Sequence, residues 1–194
     1  MKTFEELKEE LLNRAKNANA CQNGYKMGLD AKNKADLLKA ITANWFWVLI
    51  DARIVDAIYL EENFTEEELS EAGIYTRKCH EVRAVSFACG SATVKACGSA
   101  TVKACDSATV RAYGSATVEA YDSATVRAYG SATVKACDSA TVKACDSATV
   151  RACDESYVED CTGNIRPRYD YAIVKDYHNH KIYIRKGKFE IIEV

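Results

Sequence analysis

The chain has 194 residues, 48% hydrophobic and 28% charged, with 26 basic against 28 acidic side chains and a formal charge of −2. Residues 1–82 hold 11 basic and 15 acidic groups, residues 83–162 hold 8 and 9, and residues 163–194 hold 7 and 4. No segment therefore has the basic excess that marks an autonomous nucleic-acid binder.

Residues 1–80 read as a helical N-terminal domain. Phe4, Leu7, Leu11, Ala15 and Ala18 recur at three and four residues and form one apolar stripe. Gly24 and Gly28 are expected to break the chain, and Asp30 to cap a second helix whose apolar face includes Leu37, Leu38, Ile41 and Trp45. Trp45-Phe46-Trp47 is the densest aromatic cluster. Three consecutive aromatics cannot all face one way on a helix, so Trp45 and Trp47 are candidate interaction residues as well as core. Thr65 and Glu68 form a capping-box pattern, with Gly73 as the helix stop.

Met1–Glu10 is charged and amphipathic and does not read as a signal peptide. Ile41–Leu60 contains Asp51, Arg53 and Asp56 and does not read as a membrane span. The expectation is a cytoplasmic protein without a membrane partner, whose nine cysteines are thiols.

Residues 83–162 are ten consecutive eight-residue units, eight of them with a Ser-Ala-Thr-Val core running from Ser91–Val94 to Ser147–Val150. A short fixed period means bricks that bury their apolar side only by stacking. Position five is almost always charged (Lys95, Lys103, Arg111, Glu119, Arg127, Lys135, Lys143, Arg151) and must face water. Strand parity then places Ser107, Thr109 and Arg111 outside, with Ala108, Val110 and Ala112 inside. The turn position alternates Gly98, Asp106, Gly114, Asp122, Gly130, Asp138, broken by Asp146, which implies a sixteen-residue coil. Eighty residues make about five coils, or roughly 24 Å of solenoid.

In residues 163–194 the chain reads as Ala172–Lys175 and Lys181–Arg185 strands, a Lys186-Gly187 turn, and a Phe189–Val194 strand. His178-Asn179-His180 reads as a hairpin turn rather than a metal site. The fold class is α+β: a helical N-terminal domain (1–80), a parallel β-solenoid of about five sixteen-residue coils (83–162), and a C-terminal β-hairpin cap (163–194). Both flanks are expected to cap the open ends of the solenoid; the alternative for the helical flank, whose 80 residues exceed what a cap needs, is a separate binding domain tethered to the rod.

The column Cys89, Cys97, Cys105, Tyr113, Tyr121, Tyr129, Cys137, Cys145, Cys153, Cys161 is close to a palindrome, and sixteen-residue coils would divide it into two symmetric edges, Cys89, Cys105, Tyr121, Cys137, Cys153 and Cys97, Tyr113, Tyr129, Cys145. Its centre also holds Glu119, with Arg111 and Arg127 to either side in sequence. An isologous antiparallel homodimer would set this pattern against itself, so Tyr113, Tyr121, Tyr129, Glu119, Arg111 and Arg127 are candidate interface residues. A straight ladder of thiols does not converge on a metal, and the Cys column reads as small buried hydrophobes.

Ala112-Tyr113-Gly114-Ser115 and Ala128-Tyr129-Gly130-Ser131 resemble the octapeptide repeats of bacterial ice-nucleation proteins. The resemblance is confined to the repeat region and implies a stacked solenoid. It departs from the family in having one Ser-x-Thr row followed by Lys or Arg, and ten units where the family runs to dozens.

The chain carries no phosphate-cradling Gly-rich loop, nucleophile elbow or zinc-finger spacing, so no catalytic, cofactor or metal residues are assigned. The expectation is a non-catalytic scaffold or protein-binding module. Two alternatives are a phage-type inhibitor that engages a nucleic-acid-handling enzyme through its charged rows, and an ice-binding protein.

Overall fold

A computed structural model describes residues 2–167, 171–186 and 188–190, which fall into two compact units, Met1–Thr76 and Arg77–Val194.

The first unit is built from helices α1 (Phe4–Asn17), α2 (Gln22–Asp30), α3 (Lys34–Ala43), α4 (Ala57–Asn63) and α5 (Glu66–Glu71), a π-helical segment Phe46–Asp51, and a short strand β1 (Ile74–Tyr75). The α1 stripe turns Leu7 inward, and a Thr3–Glu6 capping box opens the helix. A second capping box lies where the Thr65–Glu68 pattern indicates, with Thr65 N–H donating to Glu68 Oε2 at 2.8 Å and Glu68 N–H to Thr65 Oγ1 at 3.1 Å. Gly73 follows α5 at φ +72°, as a left-handed helix stop requires.

Two expectations are corrected. Gly24 and Gly28 do not break the chain but lie inside α2, although each costs roughly 1 kcal/mol against alanine there. A Cβ on Gly24 would stand 3.1 Å from Asn44 Oδ1, and one on Gly28 would stand 3.3 Å from Leu12 Cδ2, so each side-chain end would have to yield by a few tenths of an ångström. Asp30 ends α2 rather than capping the next helix. Asn33 caps α3, its side chain accepting the Asp36 N–H at 2.9 Å.

The second unit is a parallel β-solenoid. One sheet stacks β3 (Val85–Ala88), β5 (Thr101–Ala104), β7 (Thr117–Ala120), β9 (Thr133–Ala136) and β11 (Thr149–Ala152). The other stacks β2 (Cys79–Val82), β4 (Thr93–Ala96), β6 (Thr109–Ala112), β8 (Thr125–Ala128), β10 (Thr141–Ala144) and β12 (Tyr157–Asp160), followed by β13 (Ile173–Asp176) and β14 (Lys181–Tyr183). We call these the first and second sheets. Strand partners lie sixteen residues apart, as in Arg111↔Arg127 and Glu119↔Lys135, which establishes the two-strand coil.

The inward positions are alanine and valine, and from Ala92 to Ala144 these are all fully buried. At the corners from Cys89 to Cys145 the chain reverses through a turn closed by alanine N–H onto the carbonyl of the Cys or Tyr three residues earlier, as in Ala124 to Tyr121 at 3.1 Å, and at Cys153 the donor is Ser156. The intervening Gly or Asp has positive φ, from +50° at Asp138 to +67° at Gly114. Such a backbone suits glycine and tolerates aspartate, which accounts for the Gly/Asp restriction.

The solenoid extends past the repeat at both ends, to about six turns. β2 pairs with β4 (Cys79↔Thr93), and β13 pairs in parallel with β12 (Tyr157↔Ile173). The hairpin is formed by β13 and β14 around the turn Tyr177–His180, with His180 at φ +54°. The expected Phe189–Val194 strand is not seen at Phe189 and Glu190; residues 191–194, like Gly187 of the expected turn, lie outside the described residues.

In the last repeat unit and in the strand that follows it, inward positions held by alanine in the regular repeats are occupied by Asp160 and Asp176, both buried. Burying a carboxylate demands donors. Asp160 accepts from the N–H groups of Thr162 (2.7 Å), Gly163 (3.1 Å) and Ile165 (2.9 Å), which organises the exit loop. Asp176 accepts from Asn179 N–H at 2.8 Å and stands 3.6 Å from Arg166 Nη1.

Candidate functional site

The outer faces of the two sheets share a Thr-x-(Lys/Arg) sequence yet differ electrostatically. On the first sheet the charged row reads Lys103, Glu119, Lys135, Arg151. Lys103 Nζ lies 3.6 Å from Glu119 Oε2, and Lys135 Nζ lies 5.4 Å from the Tyr121 ring centroid. Glu119 thus has Lys103 and Lys135 as neighbours. Arg111 and Arg127, its nearest charged-row neighbours in the chain, stand on the other sheet.

The second sheet places Lys95, Arg111, Arg127 and Lys143 in one unbroken ladder, with steps of about 4.8 Å. All four are exposed. The outer two are neutralised, Lys95 by Glu81 at 3.1 Å and Lys143 by Glu159 at 3.5 Å. The Lys95 ammonium is held above its ordinary pKa, chiefly by its hydrogen bond to Glu81. Arg111 and Arg127 have no carboxylate partner among the described residues. Like charges facing each other across a strand pair repel. A parallel row of Thr93, Thr109, Thr125 and Thr141 runs beside the cations.

The adjoining corner carries the aromatic part of the same face. Tyr113 and Tyr129 stack at 5.2 Å between centroids and 11° between planes, and Lys95 Nζ lies 5.7 Å from the centroid of Tyr113. Tyr121 belongs to the opposite corner. It is buried, donates its hydroxyl to Glu119 Oε2 at 3.1 Å, and has its pKa pushed up to about 12, first by burial and then by the Glu119 charge. The structure therefore groups Arg111, Arg127, Tyr113 and Tyr129 and separates them from Tyr121 and Glu119. A single contact face containing all six residues does not exist.

Trp45 is only 2% exposed and belongs to the core, so its candidacy as an interaction residue fails. Trp47 is partly exposed beside a cavity, and the exposed member of the cluster is Phe46, at 48%. Sequence periodicity assumes an α-helix, whereas the π-helical turn at Phe46–Asp51 rotates the three rings differently.

Cys105 Sγ and a carboxylate oxygen from each of Asp106 and Asp122 lie within 4.8 Å of one another, a convergence that the picture of parallel side chains missed. Asp106 Oδ2 accepts the Gly90 N–H and Asp122 Oδ2 the Asp106 N–H, while hydrogen bonding to Cys89 and burial raise the pKa of the Cys105 thiol. His178 and Asn179 sit in the β13–β14 turn, where Asn179 Nδ2 donates to Asp176 Oδ2 at 2.8 Å.

Among the described residues no helix is long and apolar enough to cross a membrane. Fold and face together define a parallel β-solenoid protein with a one-sided ladder of cations. No protein-family model, curated protein or solved structure matches the chain.

Proposed function

We propose that this chain is a non-catalytic protein-binding module in which the solenoid is a stiff frame and the outer face of its second sheet receives an acidic protein surface. The observation that carries this reading is the Arg111–Arg127 pair, exposed, in register, and without a carboxylate partner among the described residues. A partner's carboxylates would relieve the repulsion within the pair, and two guanidinium planes one coil apart offer bidentate hydrogen bonding that lysine cannot. Thr109 and Thr125 add hydroxyls beside the arginines, and the Tyr113–Tyr129 stack adds a rigid aromatic rim of the kind enriched at interfaces. A homodimer through this face would oppose the arginines of both copies, so the partner is a different chain. In a reducing, cytoplasmic setting the cysteines of the column remain thiols.

The test is quantitative affinity capture from a lysate with the wild type and with Arg111→Glu/Arg127→Glu. Proteins enriched by the wild type, lost with the charge-reversed pair and released by raised salt are the expected result. Identical capture by both chains overturns the reading.

A second reading rests on the opposite edge, where Asp106, Asp122, Asp138 and Asp154 stack one coil apart. It makes the chain an inhibitor that offers regularly spaced carboxylates to the cationic groove of a nucleic-acid-handling enzyme. Asp122→Asn/Asp138→Asn would then abolish capture while Arg111→Glu/Arg127→Glu would spare it.

A further inference from the structure

We infer that the helical unit holds a small-molecule site: a cavity of about 260 Å³ that takes a neutral, largely apolar compound carrying one hydrogen-bond donor. The cavity lies among α1, α2, α3 and the π-helical segment, and residues such as Leu12, Leu37, Ile41 and Val48 make its wall apolar. Apolar cavities of about 150 Å³ admit benzene, so by proportion this one takes about ten non-hydrogen atoms.

Two local features open it. Ala52 N–H donates to Trp47 O at 2.8 Å, closing a π-turn that places the Trp47 side chain along the cavity wall. Single π-turns of this kind recur at functional sites. On the facing side α2 contributes Gly24 and Gly28, and the volume that a Gly24 side chain would fill is bounded by Asn44 Oδ1 at 3.1 Å and Cys21 Sγ at 3.4 Å.

Asn44 supplies the polar recognition. Its Nδ2 is committed to the Ala40 carbonyl at 2.8 Å and also approaches Met27 Sδ at 3.7 Å. Its Oδ1 receives no donor among the described residues and borders the space left by Gly24. An acceptor in an apolar wall selects a ligand that brings a donor to it. A charged compound is disfavoured, because none of the cavity-lining side chains carries a charge.

The experiment is a titration of the full-length, isotope-labelled chain with 2-naphthol and, separately, with naphthalene, followed by amide chemical shifts. The two probes share a shape and differ by one hydroxyl donor. Saturable shifts confined to the residues around the cavity are expected, with at least fivefold tighter binding of 2-naphthol. Ala40→Leu and, from the α1 side, Ala15→Leu fill the cavity and abolish the shifts; two variants from different helices guard against one failing to fold. Absence of saturable shifts up to the solubility limit overturns the site, as does binding that persists in the filled variants. Equal affinity for the two probes overturns the role given to Asn44.

Discussion

Gly90 donates its backbone N–H to Asp106 Oδ2 at 3.0 Å, one full coil away along the solenoid edge. The same bond repeats from Asp106 to Asp122 (3.3 Å), Asp122 to Asp138 (3.1 Å) and Asp138 to Asp154 (3.3 Å). Each aspartate therefore has two tasks at its corner: it adopts a positive-φ backbone and it satisfies an amide of the preceding coil. Glycine on the other edge performs only the first. Asp146, which interrupts the Gly/Asp alternation, makes the same bond there, to Gly130 N–H at 2.9 Å.

This division of labour makes Asp122 separable by substitution. Asp122→Asn keeps an acceptor and a residue tolerant of positive φ, and is expected to cost under about 1 kcal/mol. Asp122→Ala loses both and is expected to cost about 2 kcal/mol. Urea-unfolding midpoints of the two variants check the order, and an alanine variant as stable as the asparagine one would remove the bond's structural role.

The interior is closed to larger side chains. Ala120 is fully buried in β7, between Ala104 and Ala136 on neighbouring strands. Ala120→Leu is expected to cost about 1–3 kcal/mol by overpacking, and Val118→Ala about 2 kcal/mol by leaving a void. Losses of both signs of volume change, measured by thermal melting, would establish a tightly filled slot; tolerance of leucine would show that the two sheets can part.

Stability is expected to fall at both pH extremes for nameable reasons. Burial pushes Tyr121 and Cys137 each up to about 12, from ordinary values of 10.0 and 9.0. The unfolded chain gives up these protons first, so stability is full below about pH 9 and declines as pH rises toward 12. Asp176 is held below its ordinary 3.8, chiefly by hydrogen bonds from Asn179 and secondarily by Arg166, so its contribution is present above that value and is lost as pH falls through the folded pKa. Urea midpoints against pH should show a flatter alkaline limb in Tyr121→Phe and a flatter acid limb in Asp176→Asn.

Thiol reactivity should sort the nine cysteines into three kinetic groups. Cys21, Cys79 and Cys161 are exposed and react fast with an aromatic disulfide reagent; Cys97 and Cys145 are partly covered and react more slowly. Cys89, Cys105, Cys137 and Cys153 are buried and await unfolding. Peptide mapping after timed labelling reads the order directly.

Much of the solenoid was legible from the chain because its rules are local. A charge at the fifth position of each eight-residue unit dictates which side of the strand is wet, and alternating Gly and Asp report the coil length. The contents of the face were less legible, since charge pairing depends on partners sixteen residues away: beside Glu119 the chain offers Arg111 and Arg127, but space offers Lys103 and Lys135. Ile173–Asp176 has the inward-outward pattern of a repeat strand yet is separated from β12 by a loop, which hid its place in the ladder. In the helical unit, Gly24 and Gly28 lie inside α2 because a local helix cost of about 1 kcal/mol each is small against tertiary packing. The cavity depends on a π-turn, and no short-range pattern in the chain announces one.

Because each repeat strand meets its partner sixteen residues away, the repeat array is graduated like a tape measure in marks of about 4.8 Å. Gaining or losing sixteen residues moves one mark and leaves every later side chain on its own sheet. A change of eight would instead exchange the faces downstream, carrying arginines onto the side of Glu119 and aspartates onto the glycine edge. Variation in length among such chains is thus expected in whole marks, each adding one rung to the cation ladder without disturbing the rest.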